Sequence, residues 1–558
     1  MHQPLNQVAA DYWAFLMERN PTEGLLYGIY EHADQMEDLT RSAEDEAIDR
    51  LNGFADAAEA VDPADLSEDE RVTRAVLIEE ARGSARELAR RHLEFAVDHT
   101  GGGLHVALLQ LAPQLGAASA DVADALVGKW SKLGRTFDDA VKRLRQGVAR
   151  DRTPPRIAVE RSITQIDEYL ATSLDHDPFT IGQGPADFDE AAEAAWRDRL
   201  RGAVADVVRP AYAAYRDALR NEILPHAREP EESGARWLRD GEALYADAIR
   251  RHTSLDLSPL EIHQIGLDEI ASLEDEYREL GGAVLGTTDV AEIYERLRND
   301  PELRFGSADE ILAAAQAAMD RARAAIPEWF GRLPRASCVM AEIPAGAEDA
   351  PLAYYLPPAT DGSRAGTFFV NTTEPTTRTR FESEALAFHE SIPGHHLQLA
   401  IAQELEDVPE FRKHALVTVY VEGWALYTER LADEMGLYTD DLTRLGILSF
   451  DSWRAGRLVV DTGMHALGWS RQEAIDWMAA NSPQAPNNIA NEIDRYIGWP
   501  GQALAYKLGQ REIFRLRREA ESAMSERFDL AGFHDVVLGS GPVPLGVLGE
   551  LVGGWMSP

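Results

Sequence analysis

Residues 385–398 read ALAFHESIPGHHLQ, and the Pro393-Gly394 pair inside them constrains the fold more sharply than any other feature of the sequence. A proline within a helix lacks the N–H, and its ring meets the carbonyl four residues back, here that of His389. Glycine then accepts backbone angles that other residues resist. A helix entering through residues 385–390 has to break or loop out before it reaches His395 and His396.

What flanks the break gives it chemical weight. A zinc-hydrolase helix carries H-E-x-x-H because residues four apart share a face, so two imidazoles reach one ion while the glutamate polarises its water. Here the histidines that follow His389 come six and seven residues later. In a regular helix those separations are rises of about 9 and 10 Å, whereas two ligands of one zinc have donor nitrogens only about 3 to 4 Å apart. With Pro393-Gly394 looped out, the remainder is His389-Glu390-Ser391-Ile392-His395, an H-E-x-x-H. This favours His395 over His396 as the second ligand, since His396 requires three residues to be looped out; His396 then stands behind a ligand or faces substrate. The plain alternative is two ordinary histidines beside a turn.

A third donor lies downstream in HALVTVYVEGWALYTERLADEMG, a helical stretch with Gly436 at its expected end. The twelve residues from Val417 to Thr428 hold one charge, Glu422. A lone carboxylate on a helix apolar on nearly every face should be paired, protonated or bound to metal. Two histidines and one glutamate leave a fourth zinc position open, the thermolysin type of site. Glu429, seven residues on and on the same face, could orient a ligand imidazole through its other nitrogen. His414 is expected to be solvated beside Lys413.

The rest of the chain reads as helix. SPLE (Ser258 to Glu261) and SRQE (Ser470 to Glu473) place serine at a cap with glutamate three residues on, the capping-box pattern. DHTGGGLH (98–105) and RTPPR (152–156) are loop or hinge signals and fit no phosphate-binding loop. Short β-branched and aromatic runs break the helical rhythm at 336–373, predicting a small sheet just before the His-Glu helix. TFFVN (367–371) is expected to be its edge, where an extended peptide could add as a strand; a purely structural hairpin is the alternative.

Charge narrows the partners. Ninety-five acidic against 55 basic residues give a formal net charge of −40, a field that repels phosphate backbones and anionic lipid. Nucleic acid and membrane are thus not expected as partners. The single cysteine, Cys338, allows no intrachain disulfide. The N-terminal residues show no basic segment followed by an apolar run, so a cytoplasmic location is expected.

HESIPGHHLQ, VEGWALYTERL, RLVVDTGMHALGWS, RYIGWPGQALAYKLG, the earlier DGEALYADAIRRHTSLDLSPLEIHQIGLDEI and the N-terminal DYWAFLMERNPTEGLLYGIYEH carry a family likeness. With them the chain resembles, over nearly its whole length, the bacterial family known as domain of unknown function 885, which is grouped with zinc peptidases of the gluzincin type. More distantly, HESIPGHH is similar to the HExGH of the carboxypeptidase Taq and thimet-type oligopeptidase families with two residues inserted; dipeptidyl peptidase III has one. VEGWALYTE resembles the HESQSRLWE segment of the carboxypeptidase Taq family, which sets Glu422 on the metal-binding glutamate and Glu429 on the glutamate seven later. The resemblance implies a mainly α, two-lobed fold around a deep channel, acting on short, unfolded peptides. It is expected as a single unit over 1–558. A helical N-terminal lobe (1–240) precedes a catalytic lobe (241–558) with the small sheet and metal-binding helices at 382–436.

The expected chemistry is peptide hydrolysis, as an oligopeptidase or carboxypeptidase, with one zinc per chain on His389, His395 and Glu422. Glu390 would move the proton. A further donor is needed for the developing oxyanion. Tyr506 and Tyr496 are candidates, Tyr506 lying where the sequence resembles the tyrosine-rich segment of thimet-type enzymes. Arg457, Asp461 and His465 fall four apart on one helix face; they could stabilise the oxyanion, hold a peptide carboxylate through Arg457, or form a structural ion-pair stripe. The rivals are a hydrolase of non-peptide amides such as N-acyl amino acids and a non-catalytic binding protein. Oligomeric state is not legible in the sequence.

Overall fold

The computed structural model describes residues 3–557 except 101, 344–350, 360, 361 and 363; parts of the expected sheet region (336–373) and of the loop 98–105 lie outside the described residues. The chain is mainly α-helical, with one three-stranded sheet among the described residues. Six helices build the site: α1 (Pro259–Val284), α2 (Ser383–Glu390), α3 (His395–Gln403), α4 (Thr418–Glu434), α5 (Asp441–Thr462) and α6 (Ala505–Met524).

Local chemistry sets several of their ends. Ser258 and Glu261 form a reciprocal capping box that starts α1, and Ser470 and Glu473 start the helix Arg471–Asn481 in the same way. Gly436 closes α4 with φ +68°, and the Leu437 N–H reaches back to the Ala432 carbonyl, the αL ending that satisfies last-turn carbonyls. No helix of the described residues is long and apolar enough to cross a membrane.

Of four buried clusters among the described residues, the two largest organise most of the core. One is drawn from residues between Leu25 and Ala227. The other joins residues between Leu5 and Phe95 to residues from Ala235 to Val552. The core therefore does not divide at 240: the first helices pack with the C-terminal half, because their apolar faces bury against it. α1 lies along α5, and α4 crosses α6 closely. At the α4–α6 crossing a Cβ on Gly423 would stand 2.4 Å from the Gly509 Cα, and one on Gly509 would stand 2.0 Å from the Val419 carbonyl oxygen. Only glycine at both positions permits that approach.

The strands are β1 (Cys338–Glu342), β2 (Ala353–Leu356) and β3 (Gly366–Val370), in the order β1-β3-β2. β1 pairs parallel and β2 antiparallel with β3. TFFVN is thus not the edge: residues 367–370 belong to the central strand. Its near-continuous apolar character reflects burial on both faces, and β1 and β2 are the edges. β2 packs against α2, so the sheet does lie beside the His-Glu helix.

Candidate metal centre

α2 ends at Glu390, and Ser391 leaves the helical region at φ −105°, ψ −108°. Residues 391–394 turn, with a cis Ile392–Pro393 peptide, and α3 begins at His395. Gly394 presses on the end of α2: a Cβ there would stand 1.9 Å from the His389 carbonyl oxygen and 2.4 Å from that of Phe388. The Trp424 indole N–H donates to the Pro393 carbonyl at 3.0 Å, fastening the turn to α4. The wedge therefore loops out, and His395 returns to the end of α2.

His389, His395 and Glu422 each offer one donor atom, and these atoms lie within 4.8 Å of one another. Glu422 Oε2 is 3.5 Å from His395 Nε2 and 3.9 Å from His389 Nε2. The two imidazoles stand nearly perpendicular, 4.8 Å apart. His389 Nδ1 lies 2.8 Å from Glu429 Oε1; with the imidazole proton on Nδ1, this hydrogen bond leaves Nε2 bare toward the cluster. A carboxylate behind a ligand imidazole is the usual outer partner of a metal-binding histidine. Two imidazole nitrogens and one carboxylate, once the inward nitrogens give up their protons, make a donor set of the kind that holds zinc.

His396 does not join them. Its Nε2 donates to the Ala336 carbonyl at 3.2 Å and its Nδ1 accepts from the Tyr355 hydroxyl at 2.8 Å, so the ring ties α3 to the sheet.

The electrostatics follow from burial with few counter-charges. Burial pulls the His389 imidazole well below its ordinary value, and the nearby His395, Arg454 and Arg457 add to this. Burial is the largest influence on His395 and opposes its charge, but the Glu422 and Glu390 carboxylates together outweigh it and leave that imidazole above the ordinary range. Glu422 is held below the usual carboxylate range: desolvation is outweighed by His395, the Tyr506 hydroxyl and Arg457. Burial pushes Glu390 up to about 7, with Glu422 contributing, and Glu429 up to about 8.

The expected accessory residues separate. Tyr506 reaches the cluster: its ring lies nearly parallel to His389 at 6.5 Å, and its hydroxyl helps hold the Glu422 carboxyl down. Arg457 stacks over the Tyr506 ring at 4.3 Å. Tyr496 is 1% exposed, and its hydroxyl accepts from Arg457 Nε and Trp453 Nε1 and donates to Glu492; it holds Arg457 in place and has no hydrogen left for a substrate. His465 is a correction. Its Nδ1 accepts from the Ala235 N–H and its Nε2 donates to the Tyr496 carbonyl, so it pins two main-chain segments and has no nitrogen to offer an oxyanion. Asp461 likewise accepts from the Tyr245 hydroxyl and the Gly501 N–H. The expected stripe of three is three separate anchors. His414 is not solvated either: it packs against Trp13 and Tyr27, with ring centroids 5.3 and 4.4 Å away.

Arg454 was not singled out from the sequence, where its only signal is a place three residues before Arg457. It lies over the Phe450 and Trp453 rings, and its Nη2 is 3.9 Å from Glu429 Oε1.

Comparison with known proteins bears on the family and the fold. No curated protein matches the chain. A protein of known structure from Colwellia psychrerythraea, described as a candidate lipoprotein, is similar with a TM-score of 0.92 and 27% identity, over 99% of each chain. A candidate lipoprotein of unknown function from Shewanella oneidensis shares the fold, with a TM-score of 0.72 at 16% identity, over 98% of this chain and 99% of that one. The model of the bacterial proteins of unknown function designated DUF885 matches residues 21–552, and the chain belongs to that family.

Proposed function

We propose that this protein is a metal-dependent hydrolase that cleaves amide bonds in short peptides, with one zinc ion per chain held by His389, His395 and Glu422. The observation that carries the reading is the division of labour inside one buried cluster. Three donor atoms converge within 4.8 Å, while Glu390 stands beside them, outside the donor set, with a carboxyl pushed up to about 7. A structural metal site has no use for such a group; a hydrolytic one needs a base poised near neutrality.

Zinc bound there supplies Lewis acidity toward a carbonyl oxygen and toward water. Glu390 takes a proton from the attacking water as the new C–O bond forms, and returns it to the leaving nitrogen as the C–N bond breaks, giving a carboxylic acid and an amine. Tyr506, whose ring lies nearly parallel to His389 at 6.5 Å, would supply the donor that meets the charge developing on the carbonyl oxygen. Glu429 keeps the His389 ring in one orientation and one tautomer.

The test is metal content by plasma mass spectrometry, wild type against His389→Ala/Glu422→Ala, followed by screening with a peptide library. About one zinc per chain, lost in the variant, together with cleavage abolished by Glu390→Gln, supports the proposal. No metal in either protein after zinc is offered, or unchanged behaviour of Glu390→Gln, would leave a non-catalytic binding protein. Cytoplasmic residence belongs to the same proposal; cell fractionation decides between it and the lipoprotein description carried by the two structural relatives.

A further inference from the structure

Two buried guanidinium groups, Arg454 and Arg457, and the half-buried Arg495 stand behind the cluster. Among the described residues their ion pairs are with two carboxylates, Glu429 and Glu492. Glu429 already accepts from His389, and Glu492 is shared between Arg457 and Arg495. Acceptors are short: among the described residues, Arg457 Nη1 and Arg454 Nε and Nη1 are buried without a hydrogen-bond partner. Buried charged donors are rarely left so. Arg457 is also locked in place, with Nε on Tyr496 and Nη2 on Glu492, and its plane rests on the Trp453 and Tyr506 rings.

We infer that Arg457, assisted by Arg454, receives the free C-terminal carboxylate of the substrate, so that the protein acts on peptides or N-acyl amino acids that end in a free acid. Guanidinium forks match carboxylates in geometry as well as charge. The placement suits the chemistry: Arg457 is one ring removed from His389, through Tyr506. An extended chain advances about 3.3–3.6 Å per residue, so the carboxylate would belong to a residue one or two beyond the scissile bond. Solvent reaches the carboxylates beside it, Glu492 being 18% and Glu422 17% exposed, while Arg457 itself stays buried. The inference rests on the hydrolase reading for its substrate, but not for its binding site.

Binding separates the two. N-acetyl-Ala-Ala and its C-terminal amide would be titrated calorimetrically into Glu390→Gln protein, zinc-loaded and zinc-free. The acid should bind about 10- to 100-fold tighter than the amide in both forms, the worth of one charged hydrogen bond. The preference should shrink towards unity in Arg457→Lys, which keeps the charge and loses the fork. Equal binding of acid and amide would overturn the inference. So would a preference that vanishes with the zinc, since the carboxylate would then sit on the metal. Acid-selective binding without turnover of any peptide would support the inference and refute the hydrolase. Equal cleavage of free and amidated peptides would refute the inference and keep the hydrolase.

Discussion

Replacing Glu429 probes the site without touching a donor atom. The His389–Glu429 contact is 2.8 Å long, between side chains 3% and 1% exposed, so water cannot stand in for a lost partner. A hydrogen bond to a charged group contributes about 1.5–3 kcal/mol, and each 1.4 kcal/mol is tenfold in affinity. Removal should therefore weaken zinc binding roughly 10- to 100-fold, the range seen when outer partners of metal ligands are changed. Two variants divide the effect. Glu429→Leu leaves the Nδ1–H buried and unmet and frees the ring to turn; it should fall at the upper end. Glu429→Gln keeps an acceptor oxygen for the Nδ1–H, so it should fall at the lower end. Both leave Arg454 without its anion, and the difference between them isolates the hydrogen bond. The assay is competition for zinc against a chromophoric chelator, with circular dichroism as the check on folding. A folded Glu429→Leu protein that binds zinc within twofold of wild type would refute the reasoning.

Other outcomes follow from the same geometry. His395→Ala should lose zinc, whereas His396→Ala should keep it and show only a lowered Tm, because His396 serves Tyr355 and Ala336; equilibrium dialysis with zinc distinguishes them. Gly423→Ala should destabilise by about 1–3 kcal/mol or more through overpacking, because its Cβ would meet the Gly509 backbone; denaturant unfolding reads this, and an unchanged midpoint would contradict the close crossing. Glu390 is protonated below its raised value of about 7 and ionised above it. As a base it works in the ionised form, so kcat/KM should rise with pH through an apparent pKa no higher than about 7, bound zinc lowering it further. A rate that falls across that interval would remove Glu390 from the role.

Much of the site was readable because its constraints are local. The pyrrolidine ring of Pro393 meets its own helix within four residues, and the isolation of Glu422 is a property of twelve consecutive residues. The residues misjudged are those whose partners are remote. His465 looks like a site imidazole until Ala235, 230 positions earlier, is seen donating to it. His414 looks solvated until Trp13 and Tyr27 are found against it. Arg454 carries no signal at all until its turn of α5 is seen to approach Glu429.

Legible in the sequence were the capped helix starts at Ser258 and Ser470, the helix end at Gly436, the break at Pro393-Gly394, and His389 and Glu422 as candidate donors. Each follows from backbone stereochemistry or spacing over a few residues. Tertiary structure alone decided that β3 is the central strand, that His396 braces the sheet while His395 faces the cluster, and that three arginines share two carboxylates behind it. Strand order, ring partners and charge balance are set by segments far apart in the chain. Burial is what makes their meeting matter, because a buried polar atom must find its partner within the fold or wait for a ligand.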